Sequence, residues 1–140
     1  MISFIPAVNS SAAALDAERT RLEVISQNIA NANTTHDVNG KAYQRQQVVF
    51  ESVLRQAGGG KVSVPELRVS NIIKDQRPAR LVFDPGHPDA DEQGMVAMPN
   101  VNIHEEMADM IVASRAFEAN LAVIKNARQL AMQALSIGKR

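Results

Sequence analysis

No cysteine occurs in this chain of 140 residues. That excludes a disulfide framework, a thiolate metal site and a cysteine nucleophile. It suits the cytoplasm, and equally an oxidising space in which cross-linking would be harmful. Aromatic side chains are nearly missing as well: Phe4, Tyr43, Phe50, Phe83 and Phe117 are the whole set, so the expected core is thin and aliphatic. Charge of one sign is also lacking. The 15 Lys and Arg residues balance 15 Asp and Glu, which removes the electrostatic case for nucleic acid or an anionic membrane surface. No apolar run approaches the roughly 18 to 20 residues that a bilayer crossing needs. No basic residue precedes the short apolar patch Ile2 to Val8, so a secretory signal is not expected.

Proline and glycine are missing from two long windows. Neither occurs between Pro6 and Gly40, or between Pro99 and Gly138, while five of the six prolines and five of the seven glycines fall from Lys41 to Pro99. Both residues disfavour helix interiors, so two helical windows are expected to flank a non-helical centre. Each window carries an apolar stripe. In the first, Val8, Leu15, Leu22 and Ile29 stand seven apart, with Ile25 and Ala32 at the alternate position. In the second, Ile103, Met107, Met110, Ser114, Phe117, Leu121, Ile124, Arg128, Ala131 and Leu135 alternate steps of four and three, a seam of about four and a half heptads. The first helix is expected to start between Pro6 and Ser11 and to fray near Asn33, where Asn31, Thr34 and Thr35 favour turns. The second should start at Asn102, capped through the amide three residues on, with Glu105 reaching back, and should stop at Gly138. Glu105, Glu106 and Asp109 near its start and Lys125, Arg128, Lys139 and Arg140 later match the helix dipole.

The centre reads as short strands: Gln47 to Leu54, Val62 to Val64, Leu67 to Ile73, Arg80 to Phe83 and Met95 to Met98. Gly58-Gly59-Gly60 reads as a turn, and Asp84 to Gly94 as a long turn-rich loop. The fold class is therefore α+β. Residues 1–36 form an N-terminal helix and residues 100–140 a C-terminal helix, pairing as an antiparallel coiled-coil-like layer around a small β-rich region, residues 37–99. That centre, about 60 residues, is near the lower limit for an independent core. Helices gain most of their stability by burying a face. The two ends should therefore be incompletely ordered in an isolated molecule and order on association.

Catalysis and metal binding find no support in the motifs. His104-Glu105-Glu106-Met107-Ala108 lacks the second histidine of a zinc-peptidase helix, because Ala108 stands where it is needed. Asp89 to Asn100 imitates an EF-hand loop at its first positions but ends in asparagine instead of glutamate. His36, His87 and His104 share no spacing, and no serine sits in a nucleophile elbow. No phosphate-binding glycine loop is present, so neither a cofactor nor a small-molecule substrate is expected. A metal-dependent hydrolase would require bound metal, and none is expected. The asparagine-rich segment Asn28 to Thr35 suits a helix end, and equally a set of amides that bond a neighbouring chain.

That segment also carries a family resemblance. Ser26-Gln27-Asn28-Ile29-Ala30-Asn31-Ala32-Asn33-Thr34 resembles the N-terminal signature of bacterial flagellar rod and hook proteins. Asp84-Pro85-Gly86-His87-Pro88-Asp89-Ala90-Asp91, then Gly94, Val96 and Met98-Pro99-Asn100-Val101, narrow it to the proximal-rod members of that axial family. So do Glu106-Met107 and Ser114-Arg115-Ala116-Phe117-Glu118-Ala119-Asn120. Ala42, where a proline is common, and Phe117, where a tyrosine is common, are small departures. The resemblance implies a structural subunit of the basal-body rod, the drive shaft across the periplasm. It implies export through the flagellar apparatus without a cleaved signal peptide, and self-association into a helical tube. Other rod proteins, the membrane ring at the rod base and the export apparatus are the implied partners. The side chains expected at the assembly interface are Leu15, Leu22, Ile25, Asn28, Ile29, Asn31, Asn33, Met107, Met110, Phe117, Asn120, Leu121 and Ile124. The competing reading is a soluble coiled-coil adaptor or secreted interaction protein that forms a small closed oligomer.

Overall fold

The two windows free of interior proline and glycine become the two helices. A computed structural model describes residues 4–37, 40–56 and 63–138. Helix α1 (Phe4–Ala30) is followed by strands β1 (Gln46–Gln56), β2 (Ser63–Lys74), β3 (Arg80–Phe83) and β4 (Met95–Met98), and helix α2 (Ile103–Ile137) closes the order. α1 begins upstream of the expected Pro6–Ser11 start. Pro6 then lies in the first turn, where its missing N–H leaves no intrahelical bond unmade. α1 ends at Ala30 in a turn held by Asn31 N–H to the Gln27 carbonyl at 3.0 Å and Thr34 N–H to the Asn31 carbonyl at 3.0 Å. α2 is capped by Asn102, but its side chain accepts from His104 N–H at 3.1 Å, one residue nearer than the capping-box register.

The strands form two antiparallel pairs, β1 with β2 and β3 with β4. β3 and β4 have the expected limits, while the two segments expected on either side of Pro65 and Glu66 are one strand. Pro65 is tolerated because β2 is an edge, where no ladder donor is needed on the outer side. Its carbonyl instead accepts from Ser10 Oγ on α1 at 3.0 Å. The Gly58–Gly60 turn and Val62 lie outside the described residues. A register shift between Val49 and Phe50 marks a bulge in the long hairpin. The β3–β4 loop closes at Gly94, whose φ of 75° suits glycine, and a Cβ there would stand 3.0 Å from Phe83 Cε2.

α1 lies between α2 and the β1–β2 hairpin, whereas α2 packs on α1 and on no other helix or strand among the described residues. The fully buried apolar side chains are small: Ala17, Val24, Ile25, Ala32, Val96 and Ala113. The helices run antiparallel, since Asn28 of α1 meets Glu106 of α2 and Arg21 meets Asp109. At about 1.5 Å per residue, the 35 residues of α2 outreach the 27 of α1 by roughly 12 Å. Every residue from Arg128 to Gly138 is accordingly exposed.

Candidate assembly interface and its polar anchor

Where α1 ends and α2 begins, a cluster of polar side chains is buried. Asn28 is 1% exposed and uses its full amide. Its Nδ2 donates to the Gln46 carbonyl at 2.8 Å and to Glu106 Oε2 at 2.9 Å. Its Oδ1 accepts from Tyr43 Oη–H at 2.9 Å and from Gln46 N–H at 2.9 Å. Glu106, 0% exposed, takes Arg45 Nε–H on its other oxygen. The Arg45 guanidinium continues to Asp109 at 3.4 Å and Asp75 at 3.8 Å. Asn100 forms a second clamp: it accepts from Arg45 N–H at 2.8 Å and donates to the Arg77 carbonyl at 2.8 Å. A buried carboxylate is tolerable only when paired and hydrogen-bonded, and Glu106 is both. The cluster thereby ties α1, the strand entrance, the end of β2 and the start of α2 into one joint.

Its electrostatics follow from these contacts. The side-chain and backbone N–H groups of Arg77 hold the Asp75 carboxyl below the usual carboxylate range, with the Arg77 and Arg45 charges assisting. Burial pushes the Tyr43 phenol above its ordinary value, and the Glu106 charge adds to the shift. Arg77 is raised in turn by its bond to Asp75. Glu106 points into this cluster, away from any arrangement with His104. Among the described residues, no group of three or more His, Cys, Asp or Glu side chains is placed to hold a metal. The carboxylates of the β3–β4 loop are turn acceptors: Asp91 Oδ1 takes Gln93 N–H at 2.9 Å and Met95 N–H at 2.8 Å.

On α2 the buried or half-buried positions are Glu106, Asp109, Met110, Ala113, Ser114, Ala116, Phe117, Asn120, Leu121, Ile124 and Ala127, so the expected stripe is covered at Met110, Ser114, Phe117, Leu121 and Ile124, with Glu106, Ala113 and Asn120 beside it. Hydrophobic periodicity gave Glu106 no place in a seam, yet Arg45 and Asn28 draw it in, and Ala113 lets the helices close up. Leu121 is half-buried, whereas Met107 is 53% exposed. On α1 the covered line is Ala17, Glu18, Val24, Ile25 and Asn28, with Leu15, Leu22 and Ile29 half-buried beside it. Asn31 is half-buried and turns back to the Gln27 carbonyl at 2.9 Å, Asn33 is exposed, and Asn120 donates to the Ala116 carbonyl at 2.9 Å. Asn28 and Ile25 are thus enclosed within their own chain. Sequence reasoning gave Arg45, Tyr43, Asp75 and Asn100 no structural task, and Glu106 only a favourable place in the helix dipole. Tyr43, Asn100 and Glu106 stood inside or beside the quoted motifs, which was the available signal.

What remains uncovered is asymmetric. The outward line of α1 is Asn9, Ala12, Asp16, Arg19, Glu23, Ser26 and Ala30. The outward face of α2 carries Met107, Ile111 at 64% and Val112 at 56% exposed, then Val123 and Leu130. Among the described residues no helix is long and apolar enough to cross a membrane.

Comparison with known proteins agrees with this architecture of paired ends. Residues 9–35 match the family model described as flagella basal body rod protein, and residues 92–137 match the flagellar basal body rod FlgEFG protein C-terminal model. The flagellar basal-body rod protein FlgC of Borreliella burgdorferi is 39% identical, covering 93% of this chain and 94% of its own. That of Yersinia enterocolitica is 38% identical over 99% of this chain and 100% of its own. That of Bacillus subtilis is 38% identical over 94% and 96%.

Proposed function

The chain belongs to the FlgC family of flagellar basal-body rod proteins, structural and non-enzymatic components of the rod, and from that membership we propose that it is a subunit of the proximal rod that joins its neighbours chiefly through α2. The shaft so formed crosses the periplasm and seats on the membrane ring at the rod base. Its subunits arrive through the flagellar export apparatus without cleavage of a signal peptide. The contact is heterologous, one face of a subunit against a different face of the next, so it propagates along the tube.

The observation that carries this reading is the set of exposed large apolar side chains on α2, in two groups: Ile103, Met107, Ile111 and Val112 before the exposed Arg115–Glu118 ion pair, and Val123, Leu130, Met132, Leu135 and Ile137 after it. Clustered exposed apolar side chains on a monomer mark a surface to be covered. Burying a Leu, Ile or Met side chain fully is worth roughly 1.5 to 3 kcal/mol, so a few half-exposed residues suffice to drive association. Of the interface residues expected from sequence, Met107 and Asn33 are open to a neighbour. Leu15, Leu22, Ile29, Asn31, Met110, Phe117, Asn120, Leu121 and Ile124 stand at the rim of the covered seam and are available in part.

The test is Met107→Asp and Ile111→Asp, each made in the motile parent cell. We expect a folded chain with unchanged helical circular dichroism, no incorporation into basal bodies and no swimming. Normal motility from both variants would refute an interface on α2. A discrete closed oligomer of the purified protein, disrupted by the same changes, would favour the adaptor reading instead.

A further inference from the structure

The two-stranded β3–β4 sheet is apolar on both faces, and only one of them is covered. Its register pairs Leu81 with Ala97 and Phe83 with Met95, so these four share a face, while Val82 and Val96 share the other. Val96 is 1% exposed and turns inward. Arg80, the one cation of β3, stands on that same side. On the opposite face Leu81 is 64% and Phe83 68% exposed, Ala97 is exposed and Met95 is half-buried. The Phe83 ring has a fixed seat over Gly94, where an added Cβ would stand 3.0 Å from Phe83 Cε2 and 3.1 Å from Pro85 Cβ. A surface already rigid loses little freedom when a partner covers it. The adjoining loop, residues 84–94, carries Asp84, Asp89, Asp91 and Glu92, all exposed, and no Lys or Arg. The open face is thus an apolar plate with an acidic rim.

We infer that this plate receives the end of a neighbouring rod subunit's C-terminal helix, apolar and basic as the end of α2 is, an inference that deepens the rod-subunit reading and rests on it. An open apolar sheet face is buried by a helix or by another sheet. The acidic rim favours a basic occupant and sets its orientation. The end of this chain's own α2 has that chemistry. It exposes Leu130, Met132, Leu135 and Ile137, and from Ala119 onward the sequence carries Lys125, Arg128, Lys139 and Arg140 but no Asp or Glu. Within one molecule the two surfaces cannot meet. β4 ends at Met98, just before α2 starts at Ile103, and the 35 residues of α2 then carry its other end roughly 50 Å away. The occupant must therefore come from a second molecule. Residues 92–137 belong to the C-terminal segment shared by the rod family, so neighbours of that family bring a helix of the same kind. Plate and helix end lie at opposite ends of the subunit, and a contact between them is directional and able to propagate.

Photo-cross-linking in assembled basal bodies tests this. A benzophenone amino acid takes the place of Leu81 in the motile parent cell, and the peptides joined on irradiation are identified by mass spectrometry. Adducts are expected on the last turns of an axial subunit's C-terminal helix, whether that subunit is a second copy of this chain or a different rod protein. If the group at Leu81 blocks assembly, the same group in place of Phe83, where it enlarges a ring already there, takes over. Leu81→Asp is expected to keep the circular dichroism and urea midpoint of the purified chain, yet to lose incorporation into basal bodies. Adducts on any other segment, adducts confined to the same protomer, or none in rods that have assembled would overturn the inference. So would normal swimming by Leu81→Asp. Each of these results leaves the interface on α2 standing, because that one is judged by Met107→Asp and Ile111→Asp.

Discussion

Helix α1 is flanked by its own chain, with α2 on one side and the β1–β2 hairpin on the other, whereas α2, among the described residues, packs on no helix or strand but α1 and is otherwise held at its start by Arg45. The surfaces left over match those surroundings. The outward line of α1 is polar or alanine, and includes an exposed Arg19–Glu23 ion pair at 3.7 Å. α2 exposes large apolar side chains, Met107, Ile111, Val112, Val123 and Leu130 among them, beside an exposed Arg115–Glu118 ion pair at 2.9 Å. Two helices with similar periodicity therefore have different surroundings: α1 is packed on two sides by its own chain, and α2, which we propose is turned towards other molecules, is packed on one. Periodicity reports that a helix has an apolar side. It does not report whether the chain itself covers that side.

The comparison breaks most decisively at the closed side. Glu106→Ala takes an acceptor from Arg45 Nε and from Asn28 Nδ2, both buried or nearly so. Removing one partner of a buried pair costs about 3 to 5 kcal/mol. The lower end applies here, because Arg45 keeps Asp75 and Asp109. Asn28→Ala should cost about 1 to 3 kcal/mol for each buried group it orphans. Urea unfolding followed by circular dichroism reads both. Met107→Ala, on the open side, should stay within about 0.5 kcal/mol of the parent. Equal losses at Glu106 and Met107 would erase the distinction between the helices.

A second way to sharpen it uses the overhang. Residues 128–138 are all exposed, and a free helix of that length is marginal in water, where about 12 to 15 residues are needed. Their amides should exchange near unprotected rates in the isolated chain, while those from Met110 to Ile124 are protected. Incorporation into basal bodies should remove the difference. Uniform protection along α2 in the isolated chain would mean that its end needs no neighbour.

Much of this architecture was legible in the sequence, and the reason is local. The limits of α2 follow from Asn102 and Gly138, and those of β3 and β4 from flanking Asp, Pro and Gly. Those signals act over a few residues. The joint was not legible, because it is made by residues far apart in sequence whose value lies only in their meeting. Nothing near Glu106 says that Arg45 will neutralise it, so a buried glutamate was read as a favourable charge in the first turn. Asn28 and Asn31 looked alike as amides at a helix end. One is walled in by Tyr43, Gln46 and Glu106, and the other merely folds back on its own turn.

The joint also sets how the closed side responds to pH. Asp75 is held below the ordinary carboxylate value, first by its Arg77 hydrogen bonds, so its contribution is present above the unfolded value of about 3.9. It is lost as pH falls through the lower folded value. Tyr43 is raised chiefly by burial, so its contribution is present below about pH 10 and is lost as pH rises further. The urea midpoint should be flat through neutrality and fall at both extremes. Asp75→Asn should flatten the acid limb, and Tyr43→Phe the alkaline one. An acid limb unchanged in Asp75→Asn would remove that carboxylate from the joint.

The smallest expected effect lies on the outer line of α1. Glu23→Lys reverses one charge of the Arg19–Glu23 pair, whose side chains are 68% and 62% exposed. Exposed ion pairs contribute about 0.2 to 1 kcal/mol and are screened by salt. The urea midpoint should therefore shift only slightly, and less at high salt. Swimming should be unimpaired, since this line faces no apolar partner. If Glu23→Lys stopped motility while leaving the fold intact, α1 would also meet a neighbour, through charge instead of apolar contact. The division between a flanked helix and an open one would then have to be redrawn as two interfaces of different chemistry.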